Sequence, residues 1–131
     1  MVDKEYKIRI DTKDTAVFKT KDSFIFRTEN LEWLYLNNNQ ITKIENLNEN
    51  LEWLYLNNNQ ITKIENLNEN LERLDLDNNQ ITKIENLNEN LERLDLDNNP
   101  VKEITKEALN LIKKNNIEVY GVDVDKLEVN E

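Results

Sequence analysis

Residues 31–50 read LEWLYLNNNQITKIENLNEN, and residues 51–70 repeat them letter for letter. Residues 71–90, LERLDLDNNQITKIENLNEN, form a third copy that changes only the third, fifth and seventh letters, and LERLDLDNNPVKEI at 91–104 begins a fourth. A strict period of twenty residues is the sequence sign of a solenoid, in which each unit buries its apolar face against its neighbours. Alternate side chains of a strand point to opposite faces, so LxxLxL predicts Leu34 and Leu36 in the core and Trp33, Tyr35 and Asn37 in solvent.

That alternation explains where the copies differ. The changes Trp to Arg, Tyr to Asp and Asn to Asp all fall on the outward face, while core, turn and outer segment are kept. Adjacent strands lie about 4.8 Å apart, so three columns are expected to form one continuous surface. They are Trp33, Trp53, Arg73 and Arg93; then Tyr35, Tyr55, Asp75 and Asp95; then Asn37, Asn57, Asp77 and Asp97. Half of the face is aromatic and half is charged.

The pattern LxxLxLxxNxIxxI, in register over 31 to about 104, resembles the leucine-rich repeat family. The resemblance implies a short parallel strand in each LxxLxL and a stacked ladder of asparagines at Asn39, Asn59, Asn79 and Asn99 that pairs with backbone groups of the adjacent turns. The length of twenty resembles the shortest class of the family, found in bacterial secreted effectors. Glu45 and Asn48 stand where that class tends to have proline, and the cysteine-dependent ligase often attached to it has no counterpart in a chain without cysteine.

Composition narrows the chemistry. With no histidine and no cysteine, the commonest general base near neutral pH, the thiolate nucleophile and the usual zinc ligands are all missing. Ser23 is the only serine and has no histidine to activate it. Asp75, Asp77, Asp95 and Asp97 would repel one another unless a hard cation relieved them, yet DLDNN lacks the glycine and terminal glutamate of a calcium loop and the arginines offer charge instead. No catalytic residue, cofactor or metal is therefore expected. The net charge is −10, and because residues 1–30 carry seven Lys/Arg against six Asp/Glu, the remaining residues sum to −11. A surface of that sign disfavours nucleic acid and anionic membrane as partners. The charged start MVDKEYKIRI is unlike a secretory signal and no apolar run is long enough to span a bilayer, so a cytoplasmic protein is expected.

A solenoid must cover its end repeats. In residues 1–30, YKIRI and SFIFR alternate as strands, and Phe18, Phe24 and Phe26 supply apolar bulk for an N-terminal β cap. Residues 105–131 predict a C-terminal cap, with a helix over 106–116 that presents Ala108, Leu111 and Ile112 on one face, closed by Asn115 and Asn116. Pro100, in place of the glutamine at 40, 60 and 80, leads into it, and IEVYGVDV then reads as one or two short strands.

The expected fold is α/β: a leucine-rich repeat solenoid of four copies over 31–104, with a parallel concave sheet, an irregular convex side and a cap at each end. Exposed Trp and Tyr with a polar rim mark contact surfaces. The expected function is a non-catalytic scaffold that binds a protein or peptide on its concave face. The alternatives are self-association of two copies through the aromatic patch, a carbohydrate-binding module, or a ladder that only stabilises itself. In the last, Trp33 stacks on Trp53, Arg73 covers Trp53 and Arg–Asp neighbours pair across strands. Copies this alike fit two origins: a recently duplicated natural array, or an idealised, engineered consensus with no natural activity.

Overall fold

A computed structural model describes residues 9–10, 17–19, 24–26, 32–45 and 47–131. Along the chain they form β1 (Arg9–Ile10), β2 (Val17–Lys19), β3 (Phe24–Phe26), β4 (Trp33–Tyr35), β5 (Trp53–Tyr55), β6 (Arg73–Asp75), β7 (Lys83–Ile84), β8 (Arg93–Asp95), β9 (Glu103–Thr105), α1 (Lys106–Asn115), β10 (Glu118–Tyr120) and β11 (Glu128–Asn130). A short 3-10 turn at Val124–Lys126 precedes β11.

The main sheet has the order β1-β4-β5-β6-β8-β10. From β4 to β10 every pairing is parallel, and equivalent residues stand side by side: Trp33 with Trp53, Trp53 with Arg73, Arg73 with Arg93, and Arg93 with Glu118. The register follows from burial. A slip of one residue would expose Leu34, Leu54, Leu74 and Leu94, all of which are fully buried. With Leu36, Leu56, Leu76 and the isoleucines at 41, 44, 61, 64, 81 and 84 they form one continuous core. Each buried Leu or Ile contributes about 1.5–3 kcal/mol, so identical repeats supply identical increments.

Two left-handed asparagines turn the chain in the central repeats. Asn38, Asn58, Asn78 and Asn98 hold φ near +60°, as do Asn66 and Asn86. Asparagine tolerates this region better than other side chains that carry a Cβ, which is one mechanical reason for the asparagine-rich composition. A further set of amides ties repeats together behind the sheet. Asn68 Nδ2 donates to Leu51 O at 2.6 Å, Asn70 Nδ2 to Glu49 O at 2.9 Å and Asn66 Nδ2 to Ile44 O at 3.0 Å.

The side away from the main sheet is more regular than the sequence predicts. In the third and fourth repeats the outer segment forms β7 and β9, which pair in parallel, and β9 pairs in parallel with β11 on its other side to make a three-stranded sheet. Backbone pairing of ITKI with VKEIT and then with the C-terminal LEVNE gives this order, and an irregular outer side does not describe it.

Pro100 marks the change to the C-terminal segment. Gln60 N–H and Gln80 N–H each donate to the preceding repeat, to Ile41 O and Ile61 O at 2.9 Å. Proline has no such donor, and the chain rejoins the ladder through Lys102 N–H to Thr82 O at 2.9 Å. Thr105 caps α1 by accepting from Ala108 N–H at 3.1 Å, Glu107 and Lys113–Lys114 suit its dipole, and Asn116 ends it at φ 53°. Ala108 and Ile112 are buried and Leu111 is half-buried, as the helical pattern predicts. After β10, Gly121 takes φ +93°, where a Cβ would collide with the Asp97 backbone.

At the other end β1 pairs antiparallel with β4, and β2 with β3. β1 and β3 fall within YKIRI and SFIFR. The covering role assigned to Phe18, Phe24 and Phe26, and most of the cap placed in 1–30, lie outside the described residues.

Candidate binding face

The outward residues of β4, β5, β6 and β8 stand in the columns their period requires. In the first two repeats the columns become stacks. The rings of Trp33 and Trp53 lie 4.8 Å apart at 12°, and those of Tyr35 and Tyr55 4.6 Å apart at 8°. Each stacked pair adds about 0.5–1.5 kcal/mol beyond its buried area. Trp33 still shows 36% of its surface to solvent. Asn37 and Asn57 are half-buried beside them.

Arginine joins the two halves. The Arg73 guanidinium lies 5.7 Å from the Trp53 ring centre and 5.4 Å from that of Tyr55, within range of a cation–π contact. Its Nε is buried without a hydrogen-bond partner. Arg93 differs: its Nε bonds Asp95 at 3.1 Å, on its own strand and not across strands as the sequence reading had it, and its guanidinium covers Tyr120 at 4.3 Å. Two residues apart on one strand share a face, so the pairing within the strand is as accessible as the one between strands.

The aspartates are packed more tightly than exposed ladder residues. Asp95 is buried, and burial pushes the Asp75 carboxyl up to about 6 against the pull of a hydrogen bond from Asp77 N–H. Burial raises Asp77 too, opposed by a 2.8 Å bond from Asp97 N–H. Tyr55 is raised, first by burial. Among the described residues no group of three or more carboxylates, histidines or cysteines is arranged to hold a metal ion.

The asparagine ladder bridges successive turns. Asn59 Nδ2 donates to Leu36 O at 3.1 Å and Leu56 O at 2.9 Å, and its Oδ1 accepts from Ile41 N–H at 3.0 Å. Asn79 repeats this with Leu56 O, Leu76 O and Ile61 N–H. Asn99 continues to Leu76 O and Ile81 N–H, and Asn39 bonds Leu36 O at 2.8 Å.

Two features escape the sequence reading. Glu118 and Tyr120 extend the first two columns by one strand, so the face ends on a third, aromatic zone. Their signal is the alternation Ile117, Glu118, Val119, Tyr120, masked because the strand lies twenty-five residues after β8's and not twenty. Along one side of the sheet, Glu32, Glu52, Glu72 and Glu92 alternate with Asn50, Asn70 and Asn90 in a groove of about 400 Å³. Glu72 is raised by burial and then by Glu52 and Glu92.

Against known proteins, the family model described as Leucine Rich repeats (2 copies) matches residues 29–69, 49–89 and 69–113. No curated protein matches the chain significantly.

Proposed function

The chain belongs to the leucine-rich repeat family, and from that premise we propose that it is a non-catalytic scaffold that binds a protein or peptide on the concave face of a capped solenoid. Repeats of this family generally mediate protein–protein interaction and are typically non-enzymatic. The observation that carries the reading is the pair of aromatic stacks, Trp33 on Trp53 and Tyr35 on Tyr55, next to charged rungs on a sheet face opposite the core. Their rotamers are fixed by stacking, so binding there orders little that is not already ordered. An apolar segment of the ligand would lie over the first two repeats and a basic one over Asp77 and Asp97, where the charges match.

Peptides selected from a random library on the intact chain give the test. Trp53→Ala, at the centre of the face, should weaken the selected peptides at least about tenfold, as truncating an aromatic anchor does. Lys43→Ala, on the exposed outer side, should change them less than about twofold. Equal small effects from both would remove the face from the binding site. No helix of the described residues is long and apolar enough to cross a membrane.

A further inference from the structure

The parallel ladder of the main sheet stops at β10, and among the described residues no strand lies beyond it. Glu118 N–H donates to Glu92 O at 2.9 Å, and Tyr120 O accepts from Leu96 N–H at 2.8 Å. The backbone groups of both residues therefore point at β8. Alternation turns the N–H and C=O of Val119, between them, to the outer edge, where no described residue bonds them. Open edges of this kind template pairing with another chain.

The surroundings of that edge are apolar and self-complementary. Val119 lines a largely apolar cavity of about 510 Å³ with Ile112, Ile117, Val122 and Val124, and Asp123 is the one charged residue in its lining. Tyr120 is 42% exposed and its hydroxyl donates to the Glu118 carboxylate two residues away. An antiparallel partner strand centred on Val119 sets residue 118 opposite residue 120. A second β10 offers an acceptor at one of these positions and a donor at the other, and so matches both.

We propose that β10 is a self-association edge, on which two copies of the chain pair antiparallel about a two-fold axis at Val119. The two Val119 residues exchange both backbone hydrogen bonds, and each Tyr120 hydroxyl meets Glu118 of the second copy. Arg93, over the Tyr120 ring, offsets the carboxylates at the junction. The sheet then runs on through both copies. This surface is separate from the aromatic stacks of β4 and β5, which stay open for a ligand.

Sedimentation equilibrium of the full chain, up to about 1 mM, tests it. The expected result is a reversible dimer that persists in the Trp33→Arg, Trp53→Arg variant and is lost in Tyr120→Glu, which sets like charges opposite each other while leaving Arg93 an acid partner. A monomer of 15.7 kDa at every concentration overturns the proposal. So does a dimer lost in the tryptophan variant and kept in Tyr120→Glu, which would place association on the aromatic face. The register has its own test in a chain without cysteine. A mixture of Glu118→Cys and Tyr120→Cys chains should oxidise to the mixed disulfide in preference to either homodimer, because opposed positions lie within disulfide reach. Statistical proportions of the three species would overturn the antiparallel pairing.

Discussion

The first two repeats and the next two share a backbone, a core and a turn, yet their outward faces have different chemistry. Leu54 and Leu74 are both fully buried, and Asn59 and Asn79 make the same set of bonds. On the face, Trp53 and Tyr55 are replaced by Arg73 and Asp75, so ring stacking gives way to half-buried charge. Letters that face inward specify the solenoid, and letters that face outward can change without altering it.

The largest effect should come from the shared part and be equal in both halves. Leu54→Ala and Leu74→Ala should each cost about 2–5 kcal/mol in urea unfolding, and should agree within about 0.5 kcal/mol because their surroundings are copies. A difference of more than about 1 kcal/mol would mean that the face reaches into the core. Asn59→Ala and Asn79→Ala come next. Each leaves a buried backbone N–H and carbonyls of two repeats short of a partner, and should cost about 1–3 kcal/mol, again alike.

The halves should part in their response to pH. The folded Asp75 carboxyl titrates near 6 against 3.8 for the free group. Between those values the folded chain holds the proton more tightly than the unfolded one, so the stability this group contributes is full below the lower value and falls as pH rises through the upper. Screening by solvent at a partly exposed site limits the change to on the order of 1 kcal/mol. Asp75→Asn should flatten the curve over that window, whereas Trp33→Ala should leave its slope alone. An unchanged slope in Asp75→Asn would show that the group is not held in the folded chain as described. The smallest effect belongs to the stack itself, about 0.5–1.5 kcal/mol, read as the coupling energy of a Trp33→Ala, Trp53→Ala double-mutant cycle.

The period of twenty was enough to read the register, the core and the three columns, because the outward letters repeat at fixed positions on a strand. Where α1 takes the place of an outer segment the period breaks, so the sequence assigns Glu118 and Tyr120 to the C-terminal segment without showing that they also continue the face. The strands β7 and β9 have no local mark in the sequence, because ITKI is short and its partner lies in the next repeat. The Arg93–Asp95 pair lies within one strand because side-chain rotamers, not periodicity, choose which carboxylate the guanidinium meets. The glutamate groove arises from the second letter of each copy, which alternation alone would place on the side of Leu34 and Leu36 although it lies just ahead of the strand.

The most direct measurement exchanges one face for the other: Trp33→Arg, Tyr35→Asp, Asn37→Asp, Trp53→Arg, Tyr55→Asp and Asn57→Asp in one chain, with circular dichroism and binding of peptides selected on the parent read side by side. The expected result is an unchanged fold that no longer binds those peptides. A variant that unfolds, or one that stays folded and binds as the parent does, would contradict the separation of a fold written inward from a function written outward.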